Sequence, residues 1–201
     1  IVQCLVGSEM CIRDRSQAGF IIAPLAVSGI TGNYQDGIFA SVTYLIIYAF
    51  MNIGAFLSVH LFTNFTKSDN FYEWGGIAKH SPLTGVLTTV FFFSLAGIPP
   101  LGGWFAKFVV FRSLLSTGEI IGISLAIVGA INAVIALVYY ARISKVIWMD
   151  ELKNPEEEKS FEFQSPLKVV GALTVLITFV AGIFPGIFSY LGEVSSIFFG
   201  N

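Results

Sequence analysis

Cysteine is nearly missing from this chain of 201 residues: only Cys4 and Cys11 occur. Beyond residue 11 the chain therefore offers no disulfide, thiolate nucleophile or cysteine-bound metal. Charge is scarce too, at 12% of residues with a net of −2, and the basic residues sit in loops rather than along one face. That argues against nucleic acid as a partner, because a phosphate backbone calls for a clustered basic surface. The two histidines, His60 and His80, have no second ligand at metal-binding spacing, so no metal site is expected. Nothing resembles a phosphate loop, a hydrolytic triad or a dinucleotide fingerprint, since the Gly-rich stretch at 97–103 lies within an apolar run and follows no strand.

Apolar surface is what the chain has in abundance. With 55% hydrophobic residues, 20 Phe and a mean hydropathy of +0.77, it reads as an all-α polytopic membrane protein embedded in the lipid bilayer. Residues 1–15 are set aside as non-native, because Glu9 to Arg15 reads like a translated sequencing adapter. The chain opens on Ile rather than Met and is expected to be the carboxy-terminal part of a longer protein. Five apolar stretches follow, near 16–30, 37–62, 81–115, 120–148 and 167–191, with 192–201 as a tail. A span needs roughly 20 residues, so the first stretch reads as a truncated span and the others as full ones, about five transmembrane helices forming part of a helical bundle.

The third stretch is unusual. Thirty-five residues would make a helix of about 52 Å at ~1.5 Å per residue, against a hydrocarbon core of ~30 Å. It is broken by Gly97, Pro99, Pro100, Gly102 and Gly103: the prolines remove backbone donors and the glycines permit turns. Loop charge separates one interrupted span from two short ones. One span places Lys67, Lys79, Arg142, Lys145, Lys153, Lys159 and Lys168 on one side and Arg112 alone on the other, whereas two spans split the charges three against five. The positive-inside rule then puts 64–80 and 150–166 in the cytoplasm and the carboxy terminus outside. The charged run from Asp150 to Lys159 reads as a solvated loop, Arg142 and Lys145 as topology anchors, and Trp74 and Trp148 as interfacial residues.

Lys107 is the charge deep inside that stretch. An ammonium at the bilayer centre costs from ~3 kcal/mol upward, so such a residue normally faces a protein interior or a wet cavity and marks an ion path. Non-helical backbone at membrane depth is tolerated under the same conditions, so the break and Lys107 are expected to share one location. The plainer alternative is a packing kink with Lys107 snorkelling to an interface. Gln17, Asn52 and Asn132 are candidate polar relays; helix packing is the competing role for each.

The segment Ser94-Leu95-Ala96-Gly97-Ile98-Pro99-Pro100-Leu101-Gly102-Gly103-Trp104-Phe105-Ala106-Lys107-Phe108 resembles the discontinuous twelfth helix of the antiporter-like membrane subunits of proton-pumping NADH:quinone oxidoreductase, respiratory complex I. Tyr44 to Phe56 is similar to the preceding helix, and Ser16-Gln17-Ala18-Gly19-Phe20 resembles the end of a motif that carries His or Gln at position 17. Lysine at 107 followed by Phe108 is closest to the subunit N family, since subunit M usually carries Glu there and subunit L typically has Asp after the lysine. The resemblance implies the last five of fourteen helices, a bacterial inner-membrane location and a periplasmic carboxy terminus. It further implies that Lys107 binds and releases a proton in the exit half of a translocation path. NADH, FMN, iron–sulfur clusters and quinone would be used by the whole complex and none bound by this chain, whose partners would be the other membrane subunits of complex I. A cation/proton antiporter or membrane hydrogenase subunit is the near alternative, and a structural anchor or assembly bundle without an ion path the distant one.

Overall fold

A computed structural model describes residues 5–68, 70–151 and 165–199. The charged run expected to form a solvated loop lies, from 152 onward, outside the described residues, as do residues 1–4 and the last two of the tail. Among the described residues the regular structure is helical: α1 Leu5–Thr31, α2 Tyr34–Thr66, a 3-10 turn at Phe71–Glu73, α3 Ile77–His80, α4 Pro82–Ala96, α5 Gly102–Ser116, α6 Ile120–Met149, α7 Ser165–Ile183 and α8 Gly186–Phe199. With α2 and α6 each long and apolar enough to cross a bilayer, the chain is a multi-pass membrane protein.

Helix α2 is the common wall on which α1, α4, α5, α7 and α8 all pack. Its register settles the interrupted stretch. Going back along α2, Gly54 meets Phe91, Met51 meets Ser94, Ile47 meets Gly102, and the Asp36 carbonyl accepts a hydrogen bond from Ser113 Oγ at 3.4 Å. The partners climb steadily from 91 to 113, so α4 and α5 run in one direction as two halves of one broken span. Each half is 15 residues long, ~22 Å at ~1.5 Å per residue, and neither spans the hydrocarbon core alone.

The two ends of the bundle are distinct. At one end the Gly76 amide donates to the Val146 carbonyl at 3.2 Å, and Trp148 Nε1 donates to Thr89 Oγ1 at 2.9 Å. This brings the 70–81 connection against the end of α6. At the other end, Gln35 and Asp36 share a crevice of about 470 Å³ with Arg112, Ser116 and Glu193.

Three boundaries differ from the sequence reading. Helix α1 starts at Leu5 rather than Ser16, so the residues from 5 to 15 set aside as non-native continue the helix of the first apolar stretch. Pro24 lies inside α1, and in the turn it disturbs the Ile21 carbonyl accepts from Ser41 Oγ of α2 at 2.7 Å. The stretch 167–191 is not one straight span: α7 and α8 meet at 84°, because Pro185 lacks an amide and its ring collides with the preceding turn. The segment taken as a tail from 192 continues as helix to Phe199. Trp74 is buried against Phe62, ring centroids 5.4 Å apart, rather than lying in an interfacial belt.

Candidate functional site

A helix leaves its last four carbonyls without intrahelical partners, and a broken span exposes that problem in the middle of a membrane protein. In α4 those carbonyls belong to Phe93, Ser94, Leu95 and Ala96. Two are served by the turn itself: the Gly97 amide donates to Phe93 and Ser94 at 3.0 and 2.9 Å, and the Ile98 amide to Phe93 at 3.0 Å. Gly97 sits at φ 95°, left-handed backbone that a residue with a Cβ resists, and this lets the chain curl over the helix end.

The other two carbonyls are served by Lys107. Its Nζ donates to Leu95 at 2.9 Å and to Ala96 at 2.6 Å, with the side chain 5% exposed. Helical side chains lean toward the helix amino terminus, so a lysine in the second turn of α5 is aimed back at the end of α4. The ammonium thus lies where the α4 dipole places roughly half a negative charge. Close approach of the halves makes this reach possible: a Cβ on Gly103 would fall on the Ser94 carbonyl oxygen, so only glycine lets α5 start beside α4. Ser94 ties the joint further, as its Oγ accepts from the Gly103 amide at 3.2 Å and donates to Met51 Sδ at 2.8 Å. The Pro99–Pro100 peptide is cis, and Gly102 packs against Ala181 of α7 and Ile47 of α2.

Gln17 converges on the same place from α1. Its Nε2 donates to the Leu95 carbonyl at 3.4 Å, while its Oε1 accepts from the Tyr44 hydroxyl. Tyr44 stacks on Phe20, centroids 5.8 Å apart at 17°, and the Phe20 ring centroid lies 5.5 Å from Lys107 Nζ. Lys107, Phe20, Tyr44, Gln17 and Leu95 therefore form a closed ring of contacts drawn from α1, α2, α4 and α5. Chemically, it is a buried amine on neutral hydrogen-bond acceptors and one aromatic face, suited to holding a proton.

The structure brings together Lys107, Gln17, Gly97 and Gly103, with Pro99, Pro100 and Gly102 forming the turn beside them. Asn52 is half-buried on α2, and Asn132 is exposed on α6 in a crevice of about 120 Å³ that Ser16 and Phe20 also line. Sequence reasoning missed Phe20, Tyr44 and Ser94 as site residues. Phe20 stands three residues after Gln17, hence on the same helix face, which is the one local signal available.

Residues 15–135 match the model of the family described as NADH:quinone oxidoreductase/Mrp antiporter, transmembrane. The chain is 33% identical over 170 residues to NADH-quinone oxidoreductase subunit N of Moorella thermoacetica, covering 85% of this chain and 34% of that protein. Against NADH-quinone oxidoreductase subunit N 2 of Rhizobium meliloti it is 37% identical over 177 residues, 87% and 35% of the two chains. NAD(P)H-quinone oxidoreductase subunit 2 of Gloeothece citriformis is 35% identical over 175 residues, 83% and 32%. The chain spans about a third of the length of the curated relatives it matches.

Proposed function

Because this chain belongs to the NADH:quinone oxidoreductase/Mrp antiporter transmembrane family, we propose that it serves as part of subunit N, a proton-translocating membrane subunit of a bacterial NADH:quinone oxidoreductase. Lys107 is the residue that takes up and releases the proton, and the observation that carries this role is its seat: a buried amine capping two carbonyls of a broken membrane helix. Burial disfavours the charged amine while the carbonyls and the α4 dipole favour it. A balance of opposing terms is what allows a group to change charge when its surroundings change. Electron transfer from NADH to quinone, with FMN and iron–sulfur clusters, belongs to partner subunits, and this chain contributes no redox centre. What supports a cytoplasmic 70–81 end and a periplasmic carboxy terminus is the loop charge together with the gathering of 70–81 and 146–151 at one end of the bundle.

The test is proton pumping per NADH oxidised in membrane vesicles carrying the full-length subunit with Lys107→Ala, at assembly equal to wild type. Pumping and coupled NADH oxidation are both lost if Lys107 lies on the path. Unchanged pumping would sink the assignment and leave Lys107 as a structural cap on the helix break. A cation/proton antiporter, the near alternative, would exchange a cation for protons across the vesicle membrane without NADH.

A further inference from the structure

We infer that Phe20 is a positioning residue for Lys107, its ring face making the seat selective for the protonated amine. The inference rests on the reading of Lys107 as the proton-binding group. An ammonium has three N–H donors, and two are used on the Leu95 and Ala96 carbonyls. The remaining side is met by Phe20, whose ring centroid is 5.5 Å from Nζ, within cation–π range. The face of a benzene ring is electron-rich, so it attracts a cation more strongly than it attracts a neutral N–H donor.

Loss of the proton changes the sign of this contact. A neutral amine keeps two N–H groups and gains a lone pair. If the two N–H groups stay on the carbonyls, the lone pair points toward the ring, electron density against electron density. Phe20 therefore holds the lysine in place only while it is charged, and release of the proton frees the side chain from α1.

The ring has little room to retreat and avoid that choice. Tyr44 stacks on it, and Phe111 meets it edge-on at 6.0 Å and 86°. Gly129 of α6 abuts it as well, where a Cβ would lie 3.1 Å from Phe20 Cε1. A side chain that only filled space would not need an aromatic face aimed at an ammonium.

The experiment introduces mono-, di- and trifluorinated phenylalanine at position 20 of the full-length subunit in the assembled complex. Fluorination withdraws the negative charge of the ring face stepwise while shape changes little. The readout is proton pumping per NADH in membrane vesicles at equal assembly, with Phe20→Leu and Lys107→Ala measured alongside. The expected result is a stepwise fall, about tenfold between phenylalanine and its trifluorinated form, with Phe20→Leu at least as low. A flat fluorinated series overturns the inference whether Phe20→Leu pumps normally or fails, because failure of leucine alone would mean that Phe20 acts by shape. If Lys107→Ala abolishes pumping while the series is flat, the role of Lys107 stands and only that of Phe20 falls. If Lys107→Ala pumps normally, the reading of Lys107 itself is at fault.

Discussion

Leu95 presents one carbonyl oxygen to two side chains from different helices, Gln17 at 3.4 Å and Lys107 at 2.9 Å. A carbonyl has two lone pairs, and both are committed here. The orientation of Gln17 depends on Tyr44, which donates to the amide oxygen and so leaves the NH2 group to face Leu95. Tyr44→Phe keeps the ring that stacks on Phe20 but strands a buried amide oxygen, and is expected to cost about 1–3 kcal/mol. Thermal unfolding of the purified complex, followed for this subunit, checks the loss against wild type. At this scale the sequence showed Lys107 and Gln17 because a charge and an amide stand out in apolar helices. It did not show Tyr44 or Phe20: among 20 Phe and 7 Tyr, nothing local separates a ring that fills space from one that faces an ammonium. Asn52 and Asn132 stood out for the same reason as Gln17, and polarity marks a residue without saying which way its helix face turns.

The joint between α4 and α5 depends on two side chains being absent. Gly97 turns the chain at φ 95°, and Gly103 admits the Ser94 carbonyl where a Cβ would stand. Gly103→Val is expected to force the halves apart at a cost of ~3 kcal/mol or more, depleting assembled complex, which blue-native electrophoresis of the membranes reads. Gly19→Ala is the control, because a Cβ there meets nothing within 4 Å and assembly is expected to be normal. This break was legible because two adjacent prolines among glycines, in a run too long for one span, leave few other conformations. The 84° bend between α7 and α8 was not, although Pro185 stands in the sequence, because a run from 167 to 191 has a length one straight span accommodates. Hydropathy averages over a window, and one proline barely moves the average.

Across the whole molecule, the positive-inside count and the bundle geometry address the same question by independent routes. Basic residues gather in the loops on one side, and the partners of α2 climb in one direction along α4 and α5. If the 70–81 end is cytoplasmic, a cysteine at Lys79 is expected to react with a membrane-impermeant maleimide in inverted vesicles and one at Glu119 in spheroplasts, both in a full-length subunit whose other cysteines have been replaced by serine. Labelling of both from one side would overturn the single broken span. Both positions are exposed, at opposite ends of the α4–α5 path. Helix α2 also has a consequence for how the subunit tolerates change. Because its Gly54, Met51, Ile47 and Asp36 meet successive points on α4 and α5, it works like the toothed rack along which the broken helix is indexed. One residue inserted after Met51 would turn every tooth beyond it by ~100° and advance it ~1.5 Å, sending Gly54 away from Phe91 while Tyr44 kept its place. An insertion here is expected to break every contact on one side of it at once, whereas a substitution at one tooth disturbs only the contact that tooth makes.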